Sequence, residues 1–483
     1  MIRTRVVIAG IGRLILIIGV AMLTSLFWAL GYHENVTMPI LQASLITIAC
    51  GLVLGATSMS FQNLKLKEGL VVVSLGWAIV SVFGSLPYLL SGYLPSVADA
   101  FFETVSGFTT TGASVVSDVE IWPRSLLYWR SLTQWLGGMG IIALFVAIIA
   151  GLGARAKQLF KSEVPGPVSD SLSPRIKDTA RKLWMTYVGL SLLCMLCLYA
   201  SGMDFFDSLC HTFTTMATGG FSTKNASIAY FASPAIEWTI ILFMFLAGVN
   251  FALHFFALRH RNPLVYFRNA EFKVYLLIIV LATLLVFMSL HEKWNWAGLE
   301  ATFRAACFQI IAIVTTTGFA TADFDLWPPL ATTVILLMMF VGGCSGSTGG
   351  SVKPGRYMII GHRTLIELKK MVHPKAIYPL RFGGRFIKED LLINVLQFFF
   401  LYILFFAAGF VTLSAMGLDL ISSISAAATC LGNIGPGLNL VGPTRNFSSL
   451  PDTAKYVLSI LMLVGRLEIY PVLVLFLPEF WRD

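Results

Sequence analysis

Four short runs in this chain combine small, oxygen-bearing residues with glycine: Thr109-Thr110-Thr111-Gly112, Ala217-Thr218-Gly219-Gly220, Thr315-Thr316-Thr317-Gly318 and Asn433-Ile434-Gly435-Pro436-Gly437. The chemistry these residues suit is ligation of a dehydrated cation, whose lost water is replaced by rings of backbone carbonyl oxygens. Glycine has no Cβ and tolerates positive φ, so successive carbonyls can face one axis. Threonine adds a hydroxyl that either joins the ligands or ties the loop to its neighbours. Aligned on Gly112, Gly219, Gly318 and Gly435, the candidate ligand positions are Thr110, Thr111 and Gly112, then Ala217, Thr218 and Gly219, then Thr316, Thr317 and Gly318, and last Asn433, Ile434 and Gly435. Ala217 and Ile434 carry no hydroxyl, so the carbonyls are the element common to all four.

Two further features bear on passage through such a ring. The run Gly342-Gly343-Cys344-Ser345-Gly346-Ser347-Thr348-Gly349-Gly350 interrupts an apolar segment and is too rich in glycine to hold a lipid-facing helix. It reads as an unwound stretch across a pore, with Gly346, Ser347 and Thr348 at its centre, or as a plain cytoplasmic loop. A phosphate-binding loop would need a G-K-[ST] ending, which the run lacks. Arg466 lies inside the last apolar segment, where a charge at mid-membrane costs on the order of 3 kcal/mol. It should face water or a partner; snorkelling to an interface and pairing with Glu468 are the alternatives, although residues two apart lie on different faces of a helix.

The elements that position these groups follow from hydropathy. The 483 residues are 57% hydrophobic and 12% charged, too little polar surface for a soluble globule of this size. Apolar stretches near the 20 residues needed for one crossing recur throughout. Two of them, 11–30 and 38–59, form an N-terminal extension. Four times thereafter a long apolar segment, a half-length segment ending in one of the glycine runs, and another long apolar segment follow one another, a fold-defining repeat. The long segments are 69–90 and 126–151, 184–201 and 238–258, 274–290 and 330–361, and 391–416 and 455–477. The expected fold is an all-α polytopic membrane protein with about ten transmembrane helices and four re-entrant pore loops in pseudo-fourfold arrangement. Its divisions are 1–68, 69–152, 153–262, 263–388 and 389–483. Lys and Arg concentrate in 154–182, 259–273 and 353–388, which places those loops and both termini in the cytoplasm by the positive-inside rule.

Other candidates carry less. Glu103 and His211, in the half-length segments, are either ion ligands or hydrogen-bonded scaffold, with scaffold the commoner role. The seven cysteines sit in or beside apolar stretches with no metal or disulfide spacing. Asn35, Asn225 and Asn446 head glycosylation triplets on expected external loops, which are chance matches if the source is bacterial. The net charge of +9 is dispersed among loops, which argues against nucleic acid. The apolar core offers no paired carboxylates, metal set or Ser/His arrangement, so no enzyme is expected. The residues therefore imply a monovalent-cation pore. A cation-coupled secondary transporter (K+/H+ or Na+ symport) is the alternative, and repeats of one direction rather than inverted halves argue against it.

The four loops, the run Glu103-Thr104-Val105-Ser106-Gly107-Phe108-Thr109-Thr110-Thr111-Gly112, the tail Asn433-Ile434-Gly435-Pro436-Gly437 and the run Gly465-Arg466-Leu467-Glu468-Ile469-Tyr470 resemble the Trk/Ktr/HKT superfamily of potassium uptake proteins over nearly the whole chain. The extra helix pair makes it similar to the TrkH type. The resemblance implies K+ as the bound and transported ion, a homodimer with one pore per subunit, and cytoplasmic nucleotide-binding regulatory subunits (TrkA-like) that could dock on 155–182. It also implies residence in the bilayer of the bacterial inner membrane, potassium preference through glycine at position 112, and roles for 346–348 and Arg466 as gating loop and pore arginine.

Overall fold

The computed structural model describes residues 2–56, 65–151, 176–290, 298–376, 378–379, 381–383, 385–387 and 389–482, with the backbone alone for 66, 139, 141–151, 176–180, 381–382 and 385. The connector expected over 155–182 lies mostly outside them. Apart from a two-residue strand pair, Arg381–Phe382 with Arg385–Phe386, the ordered elements are helices.

The chain opens with Thr4–Leu23 and Ser25–Gly31, which return as Thr37–Gly55. Small residues let these helices touch, as expected where lipid tails give no hydrophobic push. A Cβ on Gly12 would lie 2.5 Å from the Gly55 nitrogen, and one on Gly51 would lie 2.6 Å from the Leu16 nitrogen. Arg3 then joins this pair to the first repeat through Glu68 at 2.7 Å.

Each repeat places a half-length helix between two others, longer in every case but Pro329–Met338. Val97–Phe108 lies between Leu66–Gly84 and Arg124–Gly151, and Phe205–Met216 between Ile176–Ala200 and Pro234–Ala247. Leu299–Val314 lies between Ala270–Ser289 and Pro329–Met338, and Leu420–Gly432 between Glu389–Ala415 and Asp452–Arg466. The half-length helices have 12, 12, 16 and 13 residues, at 1.5 Å of rise each too short to cross about 30 Å of hydrocarbon. Three begin on a side-chain cap: Ser96 accepts from the Asp99 N–H, Asp204 from Asp207 and Asp419 from Ser422. The half-length helices are largely buried, while large apolar side chains such as Leu193, Leu196, Leu281, Leu285, Phe400 and Ile403 are exposed on the long ones, the arrangement a lipid solvent demands.

Six helices among the described residues are long and apolar enough to cross a membrane, and eight if each of two bent pairs counts as one span. The other two crossings expected from hydropathy fall on Arg124–Gly151, whose second half is described by backbone alone, and on the interrupted Pro329–Met338. Two helices expected to be continuous are broken. Pro234–Ala247 meets Phe251–His260 at 98°, and Asp452–Arg466 meets the short turn beginning at Tyr470 at 113°. The first break sits at Gly248-Val249-Asn250, where the freed backbone groups find new partners in the glycine run. Cys344 N–H donates to Gly248 O at 2.8 Å and Phe251 N–H to Gly346 O at 3.1 Å, which satisfies the condition for irregular backbone at this depth. The second break turns on Glu468 and Ile469 at φ of 56° and 66°.

Candidate functional site

The half-length helices end alike. Thr110, Thr218, Thr316 and Asn433 take φ of 52°, 53°, 58° and 56°, a left-handed conformation that costs a branched residue on the order of 1–2 kcal/mol. The N–H of the following residue reaches back five places in each loop: Thr111 to Ser106 O at 2.9 Å, Gly219 to Thr214 O at 2.8 Å, Thr317 to Ala312 O at 2.8 Å and Ile434 to Thr429 O at 2.9 Å. This is the helix-terminating pattern that glycine usually serves. Strain repeated at one position in four loops marks a place where the backbone path matters more than local comfort.

One residue further along, Gly112, Gly220, Gly318 and Gly435 have φ of 84°, 77°, 77° and 111°. These four glycines, two places beyond the left-handed residue, are the equivalent set. The alignment on Gly219 is therefore displaced by one: the second loop presents Thr218, Gly219 and Gly220, and Ala217 matches Thr109 instead. Of the two consecutive glycines, the one followed by phenylalanine is the equivalent, as Gly220-Phe221 beside Gly318-Phe319 indicates.

These glycines bring the four loops into a ring. A Cβ on Gly112 would lie 2.2 Å from Gly219 O, one on Gly220 1.9 Å from Thr317 O, one on Gly318 1.9 Å from Ile434 O, and one on Gly435 2.9 Å from Thr111 O. Each glycine abuts the carbonyl of the residue before the next loop's glycine, and the fourth contact closes on the first. Several of the hydroxyls hold the loops, whereas buried Thr110 Oγ1 has no hydrogen-bond partner. Thr109 and Thr111 share a hydrogen bond at 2.7 Å and Thr315 and Thr317 one at 2.8 Å, while Asn433 Nδ2 donates to Thr111 Oγ1 at 3.0 Å.

Outside the ring, a second circle of contacts joins the repeats in the same order. Asn225 Nδ2 donates to Asp118 at 2.7 Å, Ile228 N–H to Ala320 O at 3.2 Å, Asn439 N–H to Asp325 at 3.0 Å, and Phe447 N–H to Ser114 O at 2.8 Å. The Asn225 amide holds the Asp118 carboxyl below its usual value, whereas burial raises that of Asp325. Together the loops surround a cavity of about 180 Å³ lined by Gly112, Gly220, Gly318 and Gly435.

Beneath the ring the glycine run is unwound, and it is fastened on every side. Gly350 N–H donates to Thr316 Oγ1 at 2.7 Å, and Thr348 Oγ1 to Met216 O at 3.1 Å. Buried Glu271 accepts from Ser345 N–H and Gly355 N–H at 3.0 and 3.1 Å. Buried Arg466 donates through Nη1 to Thr348 O at 2.7 Å. Glu468 pairs with Arg356 at 2.6 Å, so the alternative pairing with Arg466 is set aside. Glu103 binds Arg130 at 2.6 Å and the Val115 N–H, and the His211 ring lies within hydrogen-bonding distance of Asp207 O and Ser222 Oγ, which makes both scaffold.

Three buried polar residues at the site were given no site role in the sequence reading. Lys353, buried at the end of the glycine run, donates to Gly349 O and, at 3.0 Å, to Gly350 O. Arg130 donates to Ser222 O at 2.9 Å and lies 3.5 Å over the Phe221 ring, and Gln134 donates to Gly219 O at 2.7 Å. The signal was present: polar residues within a membrane segment are functional candidates by default, a rule applied to Arg466 and equally applicable here.

The arrangement has relatives. A family model describing TrkH cation transport proteins matches residues 36–482. Trk system potassium uptake protein TrkH of Vibrio parahaemolyticus is 38% identical over 484 residues, covering 99% of both chains, and its namesake in Escherichia coli K12 is 38% identical over 480 residues, covering 98% of both. The crystal structure of the potassium transporter TrkH from Vibrio parahaemolyticus superposes with a TM-score of 0.90 at 37% identity over the full length of both chains. The chain belongs to the TrkH family of cation transport proteins.

Proposed function

We propose that this chain is the potassium-conducting subunit of an uptake system, in which the backbone carbonyls of four loops replace the ion's hydration shell. The observation that carries the reading is the closed sequence of glycine-to-carbonyl contacts, from Gly112 through Gly220 and Gly318 to Gly435 and back to Thr111. The proposed filter is Thr110, Thr111 and Gly112; Thr218, Gly219 and Gly220; Thr316, Thr317 and Gly318; and Asn433, Ile434 and Gly435. Each half-length helix directs its C-terminal end, with its partial negative charge, toward this ring, which favours cations over anions. The relatives' names as potassium uptake proteins support K+ as the ion.

The run around Gly346, Ser347 and Thr348 serves as the gate, and Arg466 supplies a positive barrier at it. The same reading takes 1–68 as an accessory helix pair and 69–152, 153–262, 263–388 and 389–483 as pore repeats. It places the protein in the bacterial inner membrane with both termini cytoplasmic, as a homodimer served by nucleotide-binding regulatory subunits of TrkA-like type. No catalytic chemistry is assigned.

Flux into proteoliposomes tests the proposal. K+ and Rb+ should pass faster than Na+ and Li+, at rates indifferent to an imposed proton gradient. Uptake that requires that gradient would favour the coupled-symport alternative, and equal passage of all four ions would remove the filter.

A further inference from the structure

The four loops agree in backbone, and loop two alone lacks a side chain at the position before the positive-φ glycine. Thr111, Thr317 and Ile434 precede the positive-φ glycine in loops one, three and four, and Gly219 holds that place in loop two. Gly219 is not among the glycines at positive φ, so its backbone would accept any residue. What excludes a side chain is Gln134, because a Cβ on Gly219 would lie 2.4 Å from both the Cδ and the Oε1 of that residue. Gln134 comes from Arg124–Gly151 in the first repeat and is fully buried. Its Nε2 donates to Gly219 O at 2.7 Å and its Oε1 accepts the Phe221 N–H at 3.1 Å.

In loops one and three the threonine hydroxyl is braced within its own loop, by Thr109 and Thr315. Loop two has no such hydroxyl and takes its brace from the neighbouring repeat. Arg130, one turn before Gln134 on the same helix face, holds Ser222 O and stacks on Phe221, so the loop is gripped on both sides of its glycine. Gly219 O is one of the four ring carbonyls, and among the described residues no hydrogen bond reaches the other three, Thr111 O, Thr317 O and Ile434 O. A carbonyl oxygen has two lone pairs, so Gln134 can hold one while the other stays available to an ion.

We propose that Gln134 is a specificity-determining positioning residue: it stands in for the side chain that loop two lacks and fixes the direction of the Gly219 carbonyl. This rests on the reading of the ring as the site of ion selection. Selection by either the size of the ring or the number and strength of its carbonyl dipoles requires each carbonyl to be held.

The test is a complementation series in proteoliposomes, reading the K+/Na+ permeability ratio at matched incorporation for Gln134→Ala, Gly219→Thr, the double variant, and Gly112→Ser as a ring control. Each Gln134 or Gly219 single variant should lower the ratio about tenfold. The double variant, in which a threonine occupies the space vacated by glutamine, should return within about threefold of the starting ratio. Gln134→Met fills the same volume without a donor; it should insert normally and still lose discrimination, which keeps the test open if Gln134→Ala folds poorly. An unchanged ratio in Gln134→Met, or a double variant worse than both singles, overturns the inference. If Gly112→Ser also leaves the ratio unchanged, the ring reading fails with it; if Gly112→Ser alone shifts the ratio, only the role of Gln134 is lost.

Discussion

The ring and the seam beneath it are both irregular backbone in a membrane protein, yet they are built on opposite plans. Each loop of the ring closes on itself through a bond spanning five residues and meets its neighbour at one repeated contact, a glycine against a carbonyl, with the outer circle of hydrogen bonds around it. The seam, the glycine run 342–350, is made a single time, and beside local bonds such as those of Lys353 to Gly349 O and Gly350 O it is fastened over long distances: Thr348 to Arg466, Thr348 to Met216 and Ser345 to Glu271 join residues 118, 132 and 74 apart. A structure assembled four times from local bonds is rigid and hard to alter at one point without affecting the whole. One fastened by distant side chains can be released by removing any of them, the property that the proposed gate needs.

The largest effect should come from the ring. Gly220→Ala would put a Cβ 1.9 Å from Thr317 O at a positive φ, a clash with backbone that no rotamer relieves. Potassium flux should fall at least ~100-fold at matched incorporation, an overpacking penalty of a few kcal/mol. Near-normal flux would break the ring. Gly112→Ser, with its Cβ 2.2 Å from Gly219 O, should cost selectivity as well as rate and move the K+/Na+ ratio about tenfold toward sodium.

Changes in the seam should act in the opposite direction. A fixed charge about 8 Å from a passing ion repels it by roughly 2 kcal/mol at an effective dielectric of about 20, more than tenfold in rate. Arg466→Ala should therefore raise rubidium uptake by about that factor with the ion preference unchanged, and Arg466→Lys should change it much less. Equal or lower uptake in Arg466→Ala would make the arginine structural. Deleting Gly346, Ser347 and Thr348 removes the carbonyl that Arg466 holds and shortens the barrier; flux should rise severalfold, and a fall in a fully inserted protein would argue against a gate.

The same contrast explains what could be read in advance. The four half-length helices and their glycine turns were legible because repetition and short-range bonding leave a periodic trace. The one misplacement, Gly219 for Gly220, arose where loop two departs from its siblings by borrowing Gln134 from another repeat. The breaks at Gly248-Val249-Asn250 and at Glu468-Ile469 were invisible, because they are stabilised by groups far along the chain. Lys353 was seen only as a topology marker, since its place against Gly349 O and Gly350 O depends on how the glycine run folds back.

The smallest effect should lie at the outer edge of the seam, where Arg356 Nη2 meets Glu468 at 2.6 Å and the guanidinium lies 3.7 Å over the Phe398 ring. The pair fastens the first turn after the glycine run to the left-handed residue that bends the last helix. The Glu468 side chain is 46% exposed, so solvent screens the pair and its worth falls to about 0–1 kcal/mol. Glu468→Gln should then raise potassium flux by less than about fivefold, well below the effect of Arg466→Ala. A cycle with Arg356→Gln separates the pair from the ring contact: if the ion pair is the fastening, the double variant should equal either single one, and if cation–π stacking dominates, Arg356→Gln should exceed Glu468→Gln. A Glu468→Gln effect as large as that of Arg466→Ala would mean that the bend at 468–469, rather than the arginine beside the glycine run, is what holds the passage shut.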